Sequence, residues 1–247
     1  MDYRGRFGWM SILPQPDGLK RLGRQILNAA LPASCLLCGA DSDAALLCPP
    51  CTGDLPKLPA TLCPLCSAQT THGERCGACL RDPPHFDRTE ALFHYDFPVD
   101  RIIHALKYGH QLAVADWCAH RLAERIGTGD YDCILPLPLH PERLRERGFN
   151  QSAEIAKTLG ISLNFPVDRS NLLRTRATPR QAELPLKERH RNVRGAFECR
   201  SDFTGKRLLL IDDVMTTGAT ANECSRVLKL HGAASVTVAL IARVLKH

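Results

Sequence analysis

Eight of the twelve cysteines fall between residues 35 and 79, in four Cys-x-x-Cys knuckles: Cys35/Cys38, Cys48/Cys51, Cys63/Cys66 and Cys76/Cys79. No other feature restricts the fold so tightly. A Cys-x-x-Cys turn aims two thiolates at one ion, and two knuckles complete a closed tetrahedral sulfur site. The knuckles are separated by nine, eleven and nine residues. The repeated nine predicts two successive ribbons with one zinc each, although a cross-braced pairing of the first knuckle with the third uses the same residues. No His, Asp or Glu is regularly placed among the ligands, so sulfur fills all four positions of each ion. Such sites are structural, not catalytic. His72 and His85 read as loop residues.

The opening MDYRGRFGWMSILPQPDG has no apolar run of the kind a secretory leader needs. Twelve cysteines without such a leader fit metal thiolates in a reducing cytosol, so a cytoplasmic protein is expected. Residues 18–31, GLKRLGRQILNAAL, space Leu19, Leu22, Ile26 and Leu27 as on one helix face, with basic residues between them. This predicts a short amphipathic helix packed on its neighbours, with a membrane-surface helix as the other reading. No tract is long and apolar enough to span a bilayer.

From Phe86 onward the pattern alternates. Residues 86–96, 132–139, 207–212 and 234–245 read as strands; 99–109, 112–127, 149–160 and 220–232 read as helices, with Gly160 and Gly232 as stops. Strands alternating with helices predict an α/β fold with a mainly parallel, doubly wound sheet. The expected organisation is an N-terminal segment (1–33), a double zinc ribbon (34–83) and an α/β domain (84–247). The polar passage 174–195 is long for a connection, so it reads either as a working loop or as a stretch that holds an element the pattern does not reveal. The net charge is +6, and between His140 and Arg194 twelve Lys/Arg face six Asp/Glu, so that window alone carries the excess. A local excess of this kind suits an anionic ligand or nucleic acid.

The strongest strand ends in LLLIDDVMTTGAT (208–220). At the carboxyl end of a parallel strand, loop amides and side chains face the crevice where ligands sit. Gly218 allows close backbone approach, and the hydroxyls of Thr216, Thr217 and Thr220 with the next helix N-terminus favour a phosphate. No lysine lies between 208 and 222, which excludes a P-loop. Adjacent acids also fail the Asp-x-Asp pattern of phosphoaspartate enzymes. The acidic pair therefore seeks hydroxyls or a cation beside the phosphate, and a ribose 5-phosphate offers both a diol and a phosphate.

The stretch 208–220 resembles the phosphoribosyl pyrophosphate (PRPP) motif of type I phosphoribosyltransferases. With the four knuckles, HALKYGH (104–110), LPLPLHPERLRERGFNQS (135–152) and QAELPLKERHRNVRGAF (181–197), nearly the whole chain from Leu31 resembles the ComF family of competence and GntX-like proteins. The resemblance implies a type I phosphoribosyltransferase fold behind the ribbons, two structural zinc ions, and Mg²⁺ with PRPP. It implies that Asp212 and Asp213 hold the ribose hydroxyls and serve catalysis, and that Thr216, Thr217, Gly218, Ala219 and Thr220 cradle the 5-phosphate. Arg147 and Asn150 would lie near the pyrophosphate, with Lys107 as a further contact. Gln181, Arg189 and Asn192 would belong to a loop closing over the site. The acceptor is not implied. The competence members also imply single-stranded DNA or competence-machinery proteins as partners, and a PRPP- or nucleotide-sensing regulator is the non-catalytic alternative.

Overall fold

A computed structural model of the chain describes residues 34–43, 45–127, 129–178 and 189–245. The amphipathic stretch 18–31 lies outside them. The chain divides into two compact units between Thr52 and Gly53.

The first unit carries the first pair of knuckles. Cys35 donates its N–H to the Ala40 carbonyl (2.7 Å), the Gly39 N–H returns to Cys35 (2.9 Å), and a bridge joins Ser34 to Asp41. Cys51 sits in the helical turn Pro49–Gly53.

The second unit repeats that geometry. The Cys63 N–H reaches the Ala68 carbonyl (2.7 Å), the Ser67 N–H returns to Cys63 (2.9 Å), and a bridge joins Leu62 to Gln69. Gly77–Arg81 supplies the matching helical turn. This ribbon is built into the domain that follows it. The Ser67 hydroxyl donates to the Thr89 carbonyl (3.0 Å) and the His94 N–H to the Pro56 carbonyl (3.1 Å).

The domain contains β1 (Arg88–His94), α1 (Val99–Tyr108), α2 (Leu112–Ile126), β2 (Cys133–Pro136), α3 (Pro141–Arg147) and α4 (Gln151–Leu163). It continues through β3 (Leu172–Arg174), α5 (Arg189–Val193), β4 (Phe197–Cys199), β5 (Arg207–Met215), α6 (Ala219–Leu230) and β6 (Ser235–Arg243). Strands β1, β6, β5 and β2 form one sheet in that order, with every pairing parallel. The expected α/β class is the one observed. Strands β5 and β6 lie in the centre, which explains their near-continuous apolar runs: both faces are covered. Leu208, Leu209, Leu210 and Ile211 are all completely buried. Helix α1 turns Val99, Ile102, Ile103 and Leu106 inward, one apolar stripe at helical spacing. A small antiparallel pair, β3–β4, stands apart from the main sheet.

Two expectations need correction, and one open reading is decided. Strand β5 does not finish at Asp212 but runs to Met215, with Asp212 opposite Leu240 and Met215 opposite Arg243. The passage 174–195 is not a bare connection, because its ends belong to β3 and α5. Helix α4 does not stop at Gly160; it continues to Leu163 and ends on Asn164, which takes the left-handed conformation.

Gly160 serves close packing instead. A Cβ there would lie 2.3 Å from Val167 Cγ2 and 3.0 Å from the Phe165 carbonyl oxygen. The helix runs that close to the segment that follows it alongside β2. Gly to Ala inside a helix normally stabilises by about 1 kcal/mol. Here the sign should reverse, and Gly160→Ala is expected to cost about 1–3 kcal/mol through overpacking. Urea unfolding of the two proteins checks this; an alanine variant of equal or greater stability would refute the close approach.

Candidate functional site

Successive residues of a strand point to opposite faces of the sheet. The adjacent acids of β5 therefore make different hydrogen bonds, although each still lies within reach of the other's charge and of Lys107. Asp213 is buried, and its Oδ2 accepts from Lys107 Nζ of α1 (2.7 Å) and Gln151 Nε2 of α4 (2.8 Å). Gln151 is itself held by Arg147 Nη1 (2.8 Å), whose guanidinium lies 5.4 Å from the centre of the Tyr108 ring. Burial alone would lower the Lys107 pKa, but the Asp213 carboxylate beside it raises it above the ordinary lysine value.

Asp212 is half-buried, and its Oδ1 accepts the Asp213 backbone N–H (2.9 Å). Removal from water, reinforced by the charge of Asp213, pushes its pKa up to about 7.

After Met215 the chain turns through Thr216 and Thr217 to Gly218, whose φ of +81° only glycine adopts freely. Helix α6 starts there, so its first N–H groups and the positive end of its dipole face the turn. The Thr217 hydroxyl accepts from the Ala219 N–H (3.3 Å).

These groups line one cavity of about 620 Å³ at the carboxyl ends of β2 and β5. Lys107, Arg147, Asp212, Asp213 and the whole turn 216–220 are brought together there. Asn150 is not among the lining residues: its side chain accepts from the Ser152 N–H and donates to the Leu137 carbonyl (3.0 Å), capping α4. Asn192 sits in α5, where its carbonyl accepts from Arg176 Nη2 (3.1 Å), and it does not line the cavity. Arg189 begins α5, and Gln181 lies outside the described residues.

Arg174 is a site residue that the sequence pattern does not reveal. It is only 6% exposed, lines the cavity, and has a buried Nε without a hydrogen-bond partner. Its Nη2 donates to the Thr178 hydroxyl, and its guanidinium lies 5.4 Å from the Phe197 ring centre. Arg143 Nη2 donates to the Thr178 carbonyl (3.0 Å), so two guanidinium groups converge on one residue beside the cavity. Burial, and then the charge of Arg143, pull the Arg174 pKa down. A buried cation with an unpartnered N–H at a cavity wall has the chemistry to accept an anion.

The cysteines resolve into Cys35/Cys38/Cys48/Cys51 and Cys63/Cys66/Cys76/Cys79, with the sulfurs of each set within 4.8 Å of one another. Knuckles therefore pair in succession rather than across. The Cys38–Cys48 and Cys66–Cys76 sulfurs are 3.7 and 3.6 Å apart. A tetrahedron of Zn–S bonds of about 2.3 Å has edges of about 3.8 Å, so the two sets fit two structural zinc ions. Metal analysis of purified protein is expected to return two zinc ions per chain. Chelation should release both and melt the ribbons, a loss visible as new protease cleavage within 34–80.

The double zinc ribbon domain family matches residues 26–80. The chain is thus a double-zinc-ribbon protein with an α/β domain built on a parallel four-stranded sheet. It is 34% identical over 193 residues to DNA utilization protein YhgH of Escherichia coli O157:H7, covering 75% of this chain and 85% of that protein. It is 30% identical over 208 residues to competence protein F of Haemophilus influenzae, covering 80% of this chain and 90% of that one. The chain belongs to this ComF/YhgH family. Among solved structures, a purine phosphoribosyltransferase from Pyrococcus horikoshii is similar at 19% identity and a TM-score of 0.31, covering 63% of this chain and 77% of that one. A likeness that slight carries no argument. Among the described residues, no helix is long and apolar enough to cross a membrane.

Proposed function

We propose that this protein binds PRPP with Mg²⁺ and transfers its phosphoribosyl group to an acceptor. One observation carries the reading: a single cavity joins two carboxylates, a Thr/Gly turn at a helix N-terminus, and the guanidinium groups of Arg143, Arg147 and Arg174. PRPP presents a matching set of groups. Its 5-phosphate suits the 216–220 turn, its diol suits Asp212, and its pyrophosphate suits the cationic wall. Asp213 already accepts from Lys107 and Gln151, so a magnesium ion would be carried chiefly by pyrophosphate oxygens and water. When bound, it neutralises the leaving group. Asp212 lies where positive charge develops on the sugar as pyrophosphate departs, an electrostatic role that needs no proton transfer.

The test is incubation with PRPP, Mg²⁺ and a nucleobase panel, with released pyrophosphate as the readout. PRPP binding by calorimetry without turnover would favour the sensing role instead, and absence of binding would end the reading.

A second reading, contact with single-stranded nucleic acid, is favoured by the aromatic and basic groups at the cavity mouth. Tyr108 is 53% exposed beneath Arg147, and its ring centre lies 4.8 Å from that of His104. His110 and Phe149 rings lie 5.6 Å apart nearby. Exposed rings stack bases and arginines meet phosphates. The names of the relatives, DNA utilization protein and competence protein F, point the same way. Affinity for an oligodeoxythymidine should fall steeply with salt if arginines meet its phosphates; a shallow slope would count against it.

A further inference from the structure

Arg243, the last residue of β6, is 6% exposed and does not line the cavity. Its guanidinium reaches in two directions. Nε donates to the Cys66 carbonyl (2.8 Å), inside the second zinc-ligating knuckle. Nη1 donates to the carbonyls of Met215 (3.0 Å), Thr216 and Val244 (2.7 Å). One buried cation therefore joins a metal-binding turn to the first two peptide groups of the candidate anion loop.

The consequence follows from peptide planarity. In a trans peptide the carbonyl and the next N–H point in opposite directions. Drawing the Met215 and Thr216 carbonyls back onto Arg243 turns the N–H groups of Thr216 and Thr217 away from it. Both residues line the cavity. Arg243 thus orients the backbone donors without touching a ligand, and it is itself oriented by Cys66. Cys66 packs against the main apolar core, and the neighbouring Ser67 hydroxyl is tied to β1 through the Thr89 carbonyl. The knuckle can hold this geometry only while its four sulfurs are gathered. Four metal–sulfur bonds would tie the two turns of this ribbon together, and without them only the local hydrogen bonds of each turn remain.

We propose that Arg243 is a positioning residue through which metal occupancy of Cys63/Cys66/Cys76/Cys79 sets the ligand affinity of the 216–220 loop. Loss of that zinc by chelation lowers affinity for a phosphorylated ligand at a distance from the metal. The proposal rests on the reading of the loop as a phosphate cradle. Among the described residues, the ribbon carbonyl that Arg243 engages is that of Cys66, so the coupling is specific to the second site.

Hydrogen exchange of the zinc-loaded protein tests the coupling without any ligand. Cys76→Ser, which disables the second site, and Arg243→Ala are each expected to speed exchange of peptides covering 215–221 about tenfold. Cys51→Ser, which disables the first site, should leave them at the wild-type rate, and α2 (Leu112–Ile126) serves as the internal reference for global stability. If Arg243→Ala fails to fold, Arg243→Lys replaces it, because lysine can reach only one of the two carbonyl sets. Unchanged loop exchange in Cys76→Ser, an equal rise in Cys51→Ser, or an equal rise in α2 would overturn the proposal. Calorimetry with PRPP and Mg²⁺ is read separately. Wild type that binds nothing refutes the cradle while the exchange result stands; wild type that binds should lose about tenfold in Cys76→Ser.

Discussion

Replacing Arg174 with methionine is expected to weaken PRPP binding by about a hundredfold while raising the thermal stability of the free protein. The two effects have one cause. Arg174 is 6% exposed, its Nε finds no hydrogen-bond partner, and no ion pair with a carboxylate is formed by it among the described residues. Arg143 adds a like charge nearby, and this repulsion with burial lowers the Arg174 pKa. A buried cation held this way costs free energy in the empty protein and recovers it when an anion arrives. Methionine keeps most of the apolar stem against Phe197, whose ring now lies 5.4 Å from the guanidinium, and removes the charge. A charge-assisted pair in a desolvated site is worth about 3 kcal/mol, hence the hundredfold loss. The free protein should gain about 1 kcal/mol, in line with apolar replacement of buried charges. Calorimetry and thermal melting of one variant read both quantities. Binding that survives, or stability that falls with it, would make Arg174 a structural residue and remove the main cationic wall of the site.

Much of this site is legible in the linear sequence, and the rest is hidden for identifiable reasons. The knuckle spacing predicts successive ribbons because thiolate geometry is local: each turn needs only four residues. The 208–220 stretch is legible for the same reason, since strand end, turn and helix start are contiguous. Arg174 and Arg243 are not. In LLRTRATPR (172–180) and LIARVLKH (240–247) they look like ordinary surface cations, and only tertiary burial separates Arg174 from Arg176. The full extent of β5 is hidden because a charged pair reads as a strand end. The strand continues because Lys107, remote in sequence, supplies the charge that Asp213 needs. Gly160 misleads because helices so often stop on glycine; its missing side chain makes room for Val167 and Phe165, and Asn164 performs the stop.

The pH response of the site should depend on Asp212. Its pKa is pushed to about 7 in the folded protein, from an unfolded value near 3.8, first by removal from water and then by Asp213. A raised folded pKa means the native state holds the proton more tightly. The stabilisation from this group is therefore fully present below about pH 4 and is lost as pH rises through 7. Ligand binding runs the other way. A ribose diol donates its hydroxyls, so the accepting Asp212 must be ionised, and below pH 7 binding has to expel a proton. Affinity for PRPP is expected to rise about tenfold per pH unit between 5 and 7, about a hundredfold in all, and to level off above. Phosphate groups of the ligand titrate near pH 6 and contribute a slope of their own. Asp212→Asn separates the two, because its amide cannot titrate while its carbonyl oxygen still accepts. The variant should bind with a much shallower pH dependence and release fewer protons, measured by calorimetry in buffers of different ionisation enthalpy. An unchanged slope in Asp212→Asn would assign the titration to the ligand alone, and the carboxylate facing the sugar would have to be Asp213, released from Lys107.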